Sequence, residues 1–182
     1  MSSFDWHKIV LLTPAAALIH PVYAVDYLNV TEAQKILFNK ATRFEQKKFE
    51  LTDEQLDKIK ELSGTRQRTK SPQIWFAYHK KSLLGWFIVD EVIGKHEFIT
   101  YATALSADGK VLGIEIMSYR ETHGGEVRKA EWREQFKGKT IKDPFKLDVD
   151  VTNISGATLS SRNLLDGVKR LLVLQQELTP KK

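Results

Sequence analysis

The chain of 182 residues contains no cysteine. This absence excludes disulfide bonds, thiolate-bound iron–sulfur clusters, c-type haem attachment and a lipid anchor on cysteine. The histidines also form no metal-binding pattern, because His79, His96 and His123 are scattered without the short spacing of a metal site. The glycines do not fall as Gly-x-Gly-x-x-Gly, so no nicotinamide-dinucleotide fingerprint is present. The sequence therefore predicts no metal site, and no catalytic acid–base pair stands out.

Strong charge of one sign is missing too. The net charge is +5, and basic residues alternate with acidic ones, as in 47–50 and 128–131. Such mixing is typical of a solvated surface and unlike the basic stripe of a nucleic-acid-binding protein. We therefore predict no nucleic-acid partner. The hydrophobic content of 42% is enough for a core of one domain.

Long hydrophobic runs are confined to the N-terminus. Residues 9–19 are apolar, and Val22-Tyr23-Ala24 places small residues where a signal peptidase reads. We expect residues 1–24 to be a signal peptide, which places the mature protein in the periplasm or elsewhere outside the cytoplasm. An uncleaved membrane anchor is the competing interpretation, although residues 9–24 are short for a span. No later segment is long enough to cross a membrane, so we expect no stable span in the mature chain.

Residues 25–70 are expected to form a helical N-terminal lead-in. Thr31-Glu32-Ala33-Gln34 has the pattern of a capping box, and Thr52-Asp53-Glu54-Gln55 repeats it before a second apolar face. Ser63-Gly64 is a typical helix end. Both helices are interpreted as structural.

Residues 71–178 are expected to form the main domain. Four runs of strand-forming residues cover 74–78, 84–92, 98–105 and 111–119, and Asp108-Gly109 makes a hairpin turn between the last two. A short helix is predicted over 129–136, followed by an extended stretch over 141–151 and a final apolar-periodic helix. The expected fold is α+β, an antiparallel sheet with flanking helices.

The stretch 153–161 places a threonine hydroxyl just before the final helix. The positive end of a helix dipole and its free N–H groups favour a phosphate there, and Gly156 and Ala157 leave room for it. Ser160 and Ser161 are the expected N-cap residues of that helix. From the residues alone, an ordinary strand-to-helix turn capped by serines is the favoured interpretation.

Several motifs of the chain together resemble those of the FMN-binding domain family. The tetrad Ser155-Gly156-Ala157-Thr158 resembles its flavinylation motif, and four upstream segments match in order and spacing over 98–174: Asp108-Gly109, Glu121-Thr122-His123-Gly124, Trp132 and Gln135-Phe136-Lys137-Gly138-Lys139. The family includes FMN-carrying subunits of the sodium-pumping NADH:quinone reductase and of Rnf-type complexes. The chain departs from the pattern at Thr152, where an acidic residue is usual, and at His123, where proline is common.

The resemblance implies FMN as cofactor, joined by its phosphate to Thr158. It implies that Ser155, Gly156 and Ala157 shape the phosphate turn, and that Glu121, Thr122 and Gly124 lie near the ring system. It further implies a flavin transferase for maturation and redox partner proteins. The resulting hypothesis is an exported electron-transfer flavoprotein. The alternatives are a self-sufficient flavin-dependent reductase of a small substrate and a binding module that has lost flavinylation.

Overall fold

The computed structural model describes residues 25–180, and the signal peptide expected over 1–24 lies outside them. In chain order the elements are β1 (Val25–Asp26), α1 (Val30–Leu37), β2 (Arg43–Lys47), α2 (Asp53–Ser63), β3 (Gln73–His79), β4 (Ser82–Ile93), β5 (Phe98–Ser106), β6 (Val111–Tyr119), a 3-10 turn (Gly125–Arg128), α3 (Ala130–Glu134) and α4 (Thr158–Leu178).

Within the described residues, six strands form one antiparallel sheet in the order β1-β6-β5-β4-β3-β2. The four predicted strands, β3 to β6, are its centre. They are joined by short connections, which is why each pairs with its neighbour in sequence. The predicted α+β class, an antiparallel sheet with flanking helices, is confirmed.

Helices cover both faces of the sheet, so its central strands are apolar on both sides. Helices α2 and α4 pack on one face, over a core that includes Trp86, Ile88 and Tyr101. Helix α1 packs on the other face, over Phe87 and Ala102. Successive residues of one strand thus enter different cores, as the two-residue period of a strand requires.

The N-terminal lead-in is not wholly helical, which corrects the expectation for residues 25–70. Both predicted helices are present, but β1 and β2 are also there and form the two edges of the sheet. Strand β2 reads Arg-Phe-Glu-Gln-Lys and lacks a clear apolar alternation, because only part of it is buried at the edge.

The helix starts follow the predicted chemistry in one case and depart from it in two. The capping box of Thr52 and Gln55 at α2 is confirmed. Helix α1 begins earlier than expected, because Asn29 is its N-cap and Glu32 completes the box, not Thr31 and Gln34. Helix α4 also begins earlier, as described below.

Helix α4 is held to the sheet by a buried polar group as well as by its apolar face. Arg170, 2% exposed, pairs with Asp90 of β4, and the hydroxyl of Tyr101 donates to the same carboxylate at 2.9 Å. Burial, together with the nearby charge of Asp90, raises the pKa of Tyr101 well above its ordinary value. The pairing of Arg170 and Asp90 fixes the register of the helix that begins at Thr158.

Candidate functional site

The final helix begins at the threonine of the tetrad. The residue before it, Ala157, is the N-cap, and no side chain caps the helix. The first backbone bond of the helix runs from the N–H of Ser161 to the carbonyl of Ala157 at 3.0 Å. The N–H groups of the first turn therefore have no partner within the helix, and the positive end of a helix of 21 residues lies at the tetrad.

The expected N-cap role of Ser160 and Ser161 is wrong. Both side chains point into the protein, with exposures of 2% and 0%. Burial against the sheet has overridden their preference for a cap. The consequence is functional, because a serine cap would have occupied the N–H groups that a phosphate can use.

The loop after β6 packs directly on this turn. Gly124 has φ +84°, and a Cβ on it would overlap the Cβ of Ala157 and lie 2.6 Å from the hydroxyl of Tyr119. The same hydroxyl donates to the carbonyl of His123 and lies 3.5 Å from Oγ of Ser160. Glycine at 124 is thus required both for the backbone conformation and for the close approach of loop and turn.

Loop and turn together line one cavity of about 430 Å³. This volume falls within the range of ligand pockets, roughly 300–1,000 Å³. The lining residues are Lys95, His96, Glu121, Thr122, His123, Gly156, Ala157, Thr158, Leu159 and Ser160. The structure therefore brings together five of the seven predicted site residues. Gly124 lies buried behind the cavity wall, and Ser155 is exposed outside it.

Glu121 holds the hairpin that forms the opposite wall. One carboxylate oxygen accepts the backbone N–H groups of His96 at 2.6 Å and Glu97 at 3.0 Å. Burial works against ionisation of Glu121, but these backbone N–H groups outweigh it and lower the pKa of the carboxyl below its ordinary value. Glu121 therefore positions the β4–β5 turn, which brings Lys95 and His96 to the cavity.

Thr158 also lines a second cavity. This cavity, of about 380 Å³, is lined by residues 145–148 and by Asn153, Thr158, Arg162, Leu165 and Asp166. The side-chain amide of Asn153 donates to Oγ1 of Thr158 at 3.2 Å. Thr158 is therefore reachable from two sides, and its hydroxyl already has a hydrogen-bonding neighbour.

The Trp132 and Gln135–Lys139 motif segments brace the loop that leads to the turn. Trp132 Nε1 donates to the carbonyl of Thr152 at 2.8 Å, and Oε1 of Gln135 accepts the backbone N–H of Thr152 at 2.8 Å. Lys139 pairs with Asp150 at 3.1 Å, with both side chains nearly buried. These side chains make no contact with the tetrad itself. They fix the backbone from which it extends.

Sequence reasoning did not identify Lys95 and Asn153 as site residues. The signal for Lys95 was present, because in an antiparallel sheet the β4–β5 turn and the end of β6 lie at the same edge. Asn153 offered no signal, since its contact depends on how the loop is braced. Among residues 25–180, no cluster of metal-ligating side chains occurs, and none of the helices has the length and apolarity of a membrane span.

The geometry suits a flavin mononucleotide. An uncapped helix start with a threonine hydroxyl suits the phosphate, and a cavity of ligand size adjoins it. Residues 94–173, a little under half of the chain, match the model of the FMN-binding domain. FMN is accordingly the cofactor of this domain.

The chain is also similar to subunits of ion-translocating oxidoreductase complexes. The chain is 25% identical over 180 residues to a subunit of the Na+-translocating ferredoxin:NAD+ oxidoreductase complex of Acetobacterium woodii, covering 91% of this chain and 85% of that protein. It is 34% identical over 82 residues to a subunit of the ion-translocating oxidoreductase complex of Cereibacter sphaeroides, covering 39% of this chain and 37% of that protein.

The fold itself is similar to that of NqrC from Shewanella oneidensis. That crystal structure superposes with a TM-score of 0.54 at 13% identity, covering 78% of this chain and 82% of that one. At this identity the similarity concerns the architecture alone, and it confirms the FMN-binding-domain-like sheet with flanking helices.

Proposed function

We propose that the protein is an exported flavoprotein that carries FMN through a phosphoester on Thr158 and transfers electrons within a multi-subunit oxidoreductase. The observation that carries the proposal is the meeting of the Glu121–Gly124 loop with an uncapped helix start whose first residue is Thr158. Three separate segments of the chain, 95–96, 121–123 and 156–160, line this one cavity.

Membership of a complex is supported by the relatives. Both proteins named above belong to ion-translocating oxidoreductase complexes, and the Acetobacterium protein aligns with most of this chain. We infer that this protein likewise accepts electrons from one protein and passes them to another.

Each part of the site has a distinct task in this proposal. The bound flavin supplies reversible redox chemistry, and the protein supplies position and electrostatics. Thr158 holds the phosphate, and the N–H groups of the first turn of α4 stabilise its negative charge. The loop 121–124 and the turn at Lys95 and His96 form the walls beside which the ring system lies.

Export and maturation complete the proposal. The apolar run 9–19 followed by Val22-Tyr23-Ala24 supports passage out of the cytoplasm. A covalent bond keeps the cofactor where a dissociating one would be lost by dilution. Attachment requires a flavin transferase that takes FMN from FAD and releases AMP.

The test is an intact-mass measurement after co-expression with a flavin transferase. We expect the wild type to gain the mass of FMN minus one water, and Thr158→Ala to gain nothing. Thr179→Ala serves as the matched control, because Thr179 is the threonine at the opposite end of the same helix and does not line the cavity, so it should be modified like the wild type. An unmodified wild type, or a modified Thr158→Ala, refutes the covalent assignment.

A second measurement separates a carrier from a self-sufficient reductase. The loaded protein is mixed with candidate electron donors and its flavin absorbance is followed. A carrier is bleached by a protein donor and reoxidised by a protein acceptor. Multiple turnovers with a small substrate alone would favour the reductase instead.

A further inference from the structure

The side chain of Asn153 makes the single hydrogen bond recorded for the hydroxyl of Thr158 within residues 25–180. Its Nδ2 donates to Oγ1 at 3.2 Å. A threonine in a helix commonly turns its hydroxyl back to a carbonyl three or four residues earlier. Here the carbonyl of Ile154 accepts the N–H of Ala157 instead. The orientation of the hydroxyl is thus set by a side chain from the preceding loop.

The backbone at Asn153 is itself held in place. Its backbone N–H donates to the carboxylate of Asp148 at 2.9 Å. The residue before it, Thr152, is held by Gln135 through both its N–H and its hydroxyl, at 2.8 and 3.0 Å. A side chain that extends from a backbone fixed in this way holds its partner with little loss of freedom at the moment of reaction.

The other end of the amide is unusual. Oδ1 of Asn153 is buried and has no hydrogen-bond partner. Buried polar atoms are nearly always paired, and an exception calls for a reason other than stability. An apolar residue of similar size would fill the same space without that cost, so stability does not explain an asparagine here.

The chemistry of attachment supplies a reason. In the transfer, Oγ1 of Thr158 forms a bond to the phosphorus of the FMN half of FAD, while the bond from that phosphorus to the oxygen of AMP breaks. The bonding electrons leave with AMP, and the proton of the hydroxyl passes to a base of the transferase or to water. A donor on one lone pair of Oγ1 fixes the orientation of the hydroxyl and leaves the other lone pair for the attack on phosphorus.

We propose that Asn153 is a positioning residue for covalent flavinylation, orienting the Thr158 hydroxyl toward the incoming phosphate. This inference rests on the proposed function, because it takes Thr158 as the acceptor. It adds a residue outside the tetrad to the requirements for attachment.

The test uses the full chain as substrate of a purified flavin transferase with FAD. The variants are Asn153→Leu, which removes the unpaired oxygen and the donor together, and Asn153→Asp, which keeps the shape and loses the donor. We expect kcat for FMN transfer to fall by about tenfold to a hundredfold in both. KM for the protein substrate should be unchanged, and the melting temperature of Asn153→Leu should equal or exceed that of the wild type.

The matched control is Asn163→Leu. Asn163 lies on the same helix as Thr158 and also donates its amide, to the carbonyl of Ile93 at 2.7 Å, but it does not contact Thr158. We expect its transfer rate to be that of the wild type. A wild-type kcat in Asn153→Leu, or an equal fall in kcat in Asn163→Leu, overturns the role of Asn153.

The two proposals fail in different ways. If the wild type is not modified, or Thr158→Ala still is, the proposed function is wrong and the role of Asn153 with it. If Thr158 is the acceptor and Asn153→Leu is modified at the wild-type rate, only the role of Asn153 is wrong.

Discussion

Gly124 offers a quantitative test of how the site is assembled. In Gly124→Ala, the new Cβ overlaps that of Ala157 and approaches the hydroxyl of Tyr119 to 2.6 Å, at a φ of +84°. The left-handed backbone costs about 1–2 kcal/mol for a residue with a Cβ, and the overlap adds about 1–3 kcal/mol. We predict a loss of about 3.5 kcal/mol in the free energy of unfolding, or about 7–14 °C in melting temperature.

Gly138→Ala is the matched control, because Gly138 has φ +78° but nothing within 4 Å of its Cβ position. It isolates the backbone term, about 1.5 kcal/mol. The assay is urea unfolding of both variants. The difference between them measures the packing of the loop against the turn.

A double variant tests whether Ala157 is the residue with which the new Cβ clashes. Ala157→Gly removes the overlapping Cβ, so in the Gly124→Ala background it should recover about 1 kcal/mol as a coupling energy. Equal losses in Gly124→Ala and Gly138→Ala, with no coupling to Ala157, would refute the contact between loop and turn.

Two further predictions concern the groups that brace the site. Since the pKa of Glu121 is lowered on folding, its contribution to stability is present above the ordinary value of 4.5 and is lost as pH falls through the lower folded value. When the free energy of unfolding is measured in urea above and below pH 4.5, it should therefore fall more steeply with decreasing pH in the wild type than in Glu121→Gln. An equal pH dependence in the two proteins would contradict the role of Glu121 in holding the β4–β5 turn. In Lys139→Met, Asp150 loses its nearly buried partner, and we expect the free energy of unfolding to fall by about 3 kcal/mol. This is the lower end for a broken buried ion pair, because two backbone N–H groups still donate to the carboxylate. Hydrogen exchange should quicken in residues 145–153, and unchanged protection there would argue against the brace.

The central strands and the helix α2 could be predicted because their signals are local. Runs such as 98–105 and 111–119 form strands next to a tight Asp-Gly turn. The side chain of Thr52 accepts a backbone N–H of the first turn of its own helix. Strand β2 could not be predicted, since its charged sequence is held only by pairing with β3 at the sheet edge.

The residues of the candidate site could be predicted, but the contacts that each of them makes could not. The resemblance named Glu121 as a ring neighbour, whereas its carboxylate binds backbone N–H groups of the hairpin turn. Local propensity placed the helix cap at Ser160, and tertiary burial moved the helix start to Thr158. Asn153 could not be inferred at all, because its contact exists only once distant side chains have fixed the loop.

The first strand decides from which side the chain enters the domain. Val25 of β1 stands opposite Tyr119, the last residue of β6, directly before the loop that packs on the turn at the start of α4. The first described residue therefore stands next to the Glu121–Gly124 loop, at the edge of the sheet opposite β2. A protein that binds at Val25 would therefore lie beside the loop that lines the cavity, and its binding could be felt at Thr122 and His123.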